Sequence, residues 1–411
     1  MVTVDGNKCD GRWLVVLRGD PDTDHIVAGV SHAASQGQLM TLFVVGKPTA
    51  QMLTRISMLT RFENVSVEVN LRMGTRHSAV GKLARIRYRR SVLDGYLKRN
   101  RIKLIVHEWW DGIAGMDPDK YMRLRARWFT DFPLQLQFAA QVLRIPVVAL
   151  PHGHAMKELS IGSAHARHVA ERHNGRLPFG NRDSFSAYVV AHRTDREFLT
   201  QRTELSGKNV AVWGSARFSP QWVASLYETV VPFRTDSSAR KVLFFLPKWQ
   251  NMIDRTATLS LLSALGATPG LELWIREHPR KNESSLSHEE KHRLMGTTYV
   301  KFIEPTIDSA SLIIGCDVLI EIESSIAIDA VLLGKRVVMP RYLQDSSVTS
   351  RLDHTNSVVR TYDLESTTAA VMSNDPVLKT DSEFLVDVAA QQNIDTLAFY
   401  DSSLRAIAAG R

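Results

Sequence analysis

The sequence predicts an α/β protein built from two parallel-sheet domains in tandem. Three observations predict it. Short runs rich in Val, Ile and Leu alternate with longer stretches of helical character, which is the pattern of βαβ units whose sheets are covered on both faces. That rhythm is interrupted once, by a mixed segment from about 218 to 238, and then restarts. At 411 residues the chain is also long for one core and suited to two.

In order, the first domain takes its strands from WLVVLRGD (13 to 20), MTLFVVG (40 to 46), VSVEVNLR (65 to 72), KLIVHEW (103 to 109) and PVVALPHG (146 to 153), completed by SAYVVAH (186 to 192) and NVAVWG (209 to 214). KVLFFLP (241 to 247), LELWIREHP (271 to 279), TYVKFIEP (298 to 305), CDVLIEIES (316 to 324) and KRVVMP (335 to 340) supply the second. The expected boundaries are 1–220 for the first domain, 221–385 for the second and 386–411 for a terminal helix. Open parallel sheets bind ligands outside the carboxyl ends of their strands, so a cleft between two such domains is the expected site.

Composition excludes several classes. Hydrophobic residues make up 44% and charged residues 23%, as in ordinary soluble domains. No apolar run approaches the roughly 18 residues of a membrane span. The start, MVTVDGNKCDGRW, lacks the basic and apolar regions of a signal peptide, and only Cys9 and Cys316 are present. Both features predict a cytoplasmic protein without a disulfide framework. The net charge of +8 is unevenly spread. Residues 1–220 carry 32 Lys and Arg against 19 Asp and Glu, a net +13, while 221–411 carry 19 against 24, a net −5. Arg85, Arg87, Arg89, Arg90, Lys98 and Arg101 concentrate the excess in or beside a helix expected from about 79 to 99. Such a face suits an anionic membrane surface or an acidic polymer, or it is simply a solvated helix.

Motifs narrow the chemistry. There is no G-x-G-x-x-G after the first strand and no G-x-x-x-x-G-K-[ST], so neither dinucleotide nor P-loop binding is supported. G-x-S-x-G and H-E-x-x-H are absent as well. In CDVLIEIESSIAIDAVLLG a strand runs into Ser324 and Ser325, which open a helix ending at Gly334. Free backbone N–H groups and the helix dipole favour an anion there, although an ordinary serine cap reads the same way. Arg276, His278 and Pro279 close another strand, and Lys248 a third. A metal reading of His152, His154, His165, His168 and His173 fails for want of acidic or cysteine partners at ligand spacing. No cofactor is expected.

Taken as an ordered set, His152-Gly153, Gly214-Ser215-Ala216-Arg217, Pro247-Lys248-Trp249, His278-Pro279 and Ser324-Ser325 resemble the CDP-glycerol glycerophosphotransferases. They also resemble the capsular-polysaccharide transferases that use CMP-linked 3-deoxy-octulosonate or sialic acid. The resemblance spans about residues 145 to 340. It implies a GT-B fold, with two Rossmann-like domains facing a central cleft, the first holding the acceptor and the second the nucleotide donor. It further implies that the terminal helix packs back on the first domain. Donor phosphate would be held by His278, Pro279, Ser324 and Ser325, with Gly214, Arg217, Lys248 and Arg276 nearby. A base must take the acceptor proton, and either His152 or the pair Glu108 and Asp111 in EWWDG is suited to it. Trp109 and Trp110 would raise such a carboxylate pKa by desolvation.

The first expectation is therefore a transferase with a CMP- or CDP-linked donor and a lipid-linked or polymeric saccharide acceptor, building a capsule, teichoic-acid-like polymer or lipopolysaccharide. It would be cytoplasmic, at the inner face of the cell membrane. A sugar-nucleotide epimerase of the UDP-N-acetylglucosamine 2-epimerase type is the alternative, and a basic nucleic-acid-binding protein, suggested only by the excess of positive charge, is the second. Nucleic acid is not an expected partner, because the chain holds no recognised module for it.

Overall fold

The structure, a computed structural model, describes residues 11–70, 90–109, 132–151, 153, 184–202, 207–277, 285–297, 299–322, 324–345, 350–377, 379–392 and 394–410. The chain divides into two compact units, crossing between Ser219 and Pro220 and returning between Gln391 and Gln392.

Unit 1 contains a seven-stranded parallel sheet. Its strands are β1 (Arg12–Leu17), β2 (Met40–Val45), β3 (Val65–Asn70), β4 (Ile102–Glu108), β5 (Val147–Leu150), β6 (Ala187–Val190) and β7 (Val210–Val212). Between them run α1 (Asp20–Ser35), α2 (Ala50–Thr60), α3 (Arg90–Arg99), α4 (Phe132–Leu143) and α5 (Arg193–Arg202). The spatial order is β3-β2-β1-β4-β5-β6-β7. Val15 lies in register with Leu42 on one side and Val106 on the other, and all three are fully buried. Each such side chain contributes roughly 1.5–3 kcal/mol by leaving water.

Unit 2 repeats the plan. After α6 (Pro220–Thr229) come β8 (Arg240–Phe245), α7 (Arg255–Gly266), β9 (Leu271–Arg276), α8 (His288–Met295), β10 (Val300–Phe302), α9 (Ser309–Gly315), β11 (Val318–Ile320), α10 (Ile326–Leu332), β12 (Arg336–Pro340), β13 (Val359–Thr361) and α11 (Leu364–Met372). All six strands are parallel, in the order β10-β9-β8-β11-β12-β13. Asp254 caps α7 by accepting the Ala257 N–H at 2.9 Å, one of four exposed donors at that helix start.

The chain then returns to unit 1 as α12 (Thr396–Ala408), which packs along α1. Gly29 on α1 makes this possible, since a Cβ there would lie 2.9 Å from Leu150 and 3.1 Å from the Tyr400 ring. Tyr400 is buried and donates to the Gly214 carbonyl at 2.9 Å, tying α12 to the end of β7. The two parallel α/β sheets expected from the alternation are present. β13 went unpredicted: it is three residues long and interrupted by Arg360, too little pattern to separate from a loop. Among the described residues, no helix is long and apolar enough to cross a membrane.

Candidate functional site

In each sheet the winding reverses once, between β1 and β4 in unit 1 and between β8 and β11 in unit 2. Strand connections leave in opposite directions at such a point, which opens a crevice at the carboxyl ends. Both crevices carry polar side chains.

In unit 1, β1 gives way to Arg18, and Gly19 and Pro21 start α1 directly. The short turn brings Asp22 back over the strand end, where its carboxylate accepts the Arg18 N–H at 2.6 Å. The Arg18 guanidinium crosses to β4 and donates to Glu108 at 2.7 Å. Asp22 is buried. Burial above all, and then the neighbouring Glu108 charge, push its pKa up to about 8. His107 is also buried, and desolvation pulls its pKa down to about 4. Its Nδ1 lies 2.6 Å from the Glu108 carbonyl, which only accepts, so the proton sits on Nδ1. Nε2 is then an acceptor, matched by the Gln137 amide at 3.3 Å.

Trp109 turns inward, donating its indole N–H to the Val189 carbonyl and stacking on Tyr188 at 6.1 Å. A second ionic group lies beside the first. Arg55 donates to Asp24 at 2.7 Å, and Arg217 stands 3.9 Å from the same carboxyl. Burial pushes Asp24 up, but the two guanidinium groups together hold it below the usual carboxylate range. Arg217, expected near donor phosphate, is thus buried against Asp24 and the Phe218 ring. Gly214 turns the chain with φ +78, which favours glycine.

In unit 2, β8 runs into Pro247, Lys248 and a short turn at Trp249–Asn251, and Arg255 stacks on the Trp249 ring at 5.1 Å. Across the switch point, Ser324 donates its N–H to the Glu321 carboxylate, and its hydroxyl accepts the Ile326 N–H at 3.3 Å. Ser325 stands at the N-cap of α10 but makes no capping bond with its hydroxyl. Lys248 and the Ser324–Ser325 pair thus follow the carboxyl ends of two adjacent strands, β8 and β11. Arg276, at the end of β9, is buried and donates to the Pro305 and Ile307 carbonyls, holding the turn after β10. Glu277 is tied to Lys291 at 2.6 Å and to the Leu286 N–H at 3.0 Å. His152, Asp111, His278 and Pro279 lie outside the described residues, as do Trp110, His154, His165, His168, His173, Arg85, Arg87 and Arg89.

Sequence reasoning missed Arg18, Asp22 and His107. The signal was RGDPDTDH: aspartates at a helix start, Asp20 and Asp22 in its first turn, look like ordinary dipole partners, and only the turn geometry singles out Asp22.

No family model matches the sequence, and no curated protein matches it. Solved structures do. Anabaena Alr3699/HepE in complex with UDP and glucose superposes with a TM-score of 0.51 at 13% identity, over 97% of this chain and 100% of that one. The UDP-GlcNAc 2-epimerase of Neisseria meningitidis bound to UDP-GlcNAc gives 0.51 at 14%, over 96% and 98%. The S. aureus MnaA–UDP co-structure gives 0.52 at 11%, over 97% and 96%. The fold is thus the GT-B-like pair of Rossmann-like domains seen in UDP-GlcNAc 2-epimerases. This corrects the first expectation. Several neighbours hold UDP or a UDP-sugar and several are 2-epimerases, so the transferase with a CMP- or CDP-linked donor gives way to the alternative.

Proposed function

We propose that this protein is a sugar-nucleotide-processing enzyme of the UDP-N-acetylglucosamine 2-epimerase type. The observation that carries the reading is the fold match over nearly the whole of both chains to proteins holding UDP or UDP-sugars. Polar residues at each switch point support it, because these are the positions where such sheets bind ligands.

Inverting C2 requires a group that removes its proton, the electron pair forming a C1–C2 double bond as the nucleotide diphosphate leaves C1, and a group that returns a proton to the other face of C2 as the diphosphate adds back at C1. Glu108, with Asp111 and His152 as the other candidates, is assigned to this transfer. Asp22 holds a proton to about pH 8 and supplies a neutral acid beside it. Arg18 fixes the Glu108 carboxylate and places positive charge where negative charge would develop. In unit 2, Lys248, Ser324 and Ser325, together with His278 and Pro279, are assigned to the diphosphate.

Incubation with UDP-N-acetylglucosamine alone in D2O, followed by proton NMR, tests the reading. The expected result is a second sugar nucleotide epimeric at C2 and carrying deuterium there, formed without any acceptor. Absence of both the epimer and exchange at C2 would overturn it.

A further inference from the structure

At the amino-terminal edge of the unit 1 sheet, opposite the crevice described above, lies a groove of about 1090 Å3. Its apolar surface comes from Ile102 at the start of β4, Ile145 and Pro146 before β5, and Ile407 near the end of α12. Four cations line it: Lys98, Arg101, Lys103 and Arg144. Among the described residues, no acidic residue lines it and none is ion-paired to any of the four. All four are exposed.

Two features set these cations apart from a solvated face. The ends of α3, α4 and α12 meet the groove, and each helix C-terminus carries roughly half a negative charge, so three of them offset about 1.5 of the four positive charges. More than two remain. Arg101 and Arg144 also adopt φ of 51° and 54°, a left-handed conformation that residues other than glycine rarely take. Glycine would end either helix with less strain, yet arginine occupies both positions and both face one groove.

We propose that this groove binds a phosphate-bearing amphiphile, an anion of two or more charges with an apolar body. Arginine pairs offer forked donors that match phosphate oxygens, and the apolar floor takes the body of the ligand. The volume lies just above the range of small-ligand sites, about 300 to 1000 Å3, and leaves room for a ligand with an apolar body. Its phosphate could belong to a soluble ester or to a lipid headgroup.

The double variant Arg101→Gly with Arg144→Gly separates binding from folding, because glycine suits both backbone positions. It should melt no lower than the native chain and bind UDP equally well, which keeps this inference independent of the epimerase reading. Calorimetric titration with inorganic pyrophosphate at low salt forms one arm, and flotation with phosphatidylglycerol against phosphatidylcholine vesicles the other. Binding in either arm that weakens at least tenfold in the double variant supports the site. Pyrophosphate binding without vesicle preference assigns a soluble phosphate, and preference for phosphatidylglycerol assigns a headgroup. Equal binding by native and variant proteins in both arms, or no binding by the native chain in either, overturns it.

Discussion

Asp22 shows how much of the candidate site depends on one short turn. The folded chain keeps its carboxyl protonated to about pH 8, whereas the unfolded chain releases that proton near the ordinary value of 3.8. Between these values the folded state binds more protons, so this group's contribution to stability is complete below the lower value and is lost as pH rises through the upper one. Asp22→Asn retains a neutral acceptor for the Arg18 N–H. It should therefore match the native chain near pH 4 and exceed it at about pH 9 by on the order of a few kcal/mol, since a tenfold change in proton affinity is worth about 1.4 kcal/mol. Melting curves across that range check the sign, and a variant less stable at high pH would refute the assignment. Glu108→Gln keeps the Arg18 hydrogen bond but removes the base. Turnover of UDP-N-acetylglucosamine should fall roughly 100-fold with UDP affinity unchanged, and full turnover would pass the role to Asp111 or His152. Of these residues only Glu108 was legible in the sequence, because it closes an obvious strand. Asp22 and Arg18 depend on the turn between β1 and α1, and His107 on burial that its neighbours decide.

At the scale of elements, chain ends matter more than chain middles. The strands read plainly from Val, Ile and Leu runs because a sheet covered on both faces needs no alternation. Where strands end, the sequence shows charge but not direction. Arg276 and Arg217 look equally suited to phosphate, yet one guanidinium is turned onto the Pro305 and Ile307 carbonyls and the other onto Asp24. Helix ends are similar. Gly315 closes α9 where an added Cβ would lie 2.3 Å from the Phe233 carbonyl oxygen, a backbone atom that cannot rotate away. Phe233 N–H donates to Ser311 O at 3.0 Å, which pins that segment to α9. Gly315→Ala should cost about 1–3 kcal/mol, the usual scale for forced overpacking, read as a lower urea midpoint with an unchanged slope. Gly270→Ala serves as the contrast: nothing lies within 4 Å of its Cβ, so its loss comes only from φ +81.

For the whole molecule, two parallel sheets were foreseeable because the alternation simply runs twice, whereas their 3-2-1-4 winding comes only from the structure. The nucleotide was not foreseeable, since serines and a lysine at strand ends suit a phosphate without distinguishing one base from another. The UDP found in the structural neighbours makes the choice of base testable here. A ligand that binds only the folded chain stabilises it by about 2.7 kcal/mol at a hundred times its Kd. For domains of 150–250 residues that corresponds to roughly 5–10 °C in Tm. A thermal screen of UDP, CDP, CMP and GDP should give its largest shift with UDP. Hydrogen exchange should then slow at the ends of β8 and β11 and around Ser324 and Ser325, with Ser325→Ala reducing the UDP shift because its hydroxyl is not spent on a cap. A larger shift with CDP than with UDP would reject the uridine reading. Protection confined to unit 1 would move the diphosphate away from Lys248, Ser324 and Ser325.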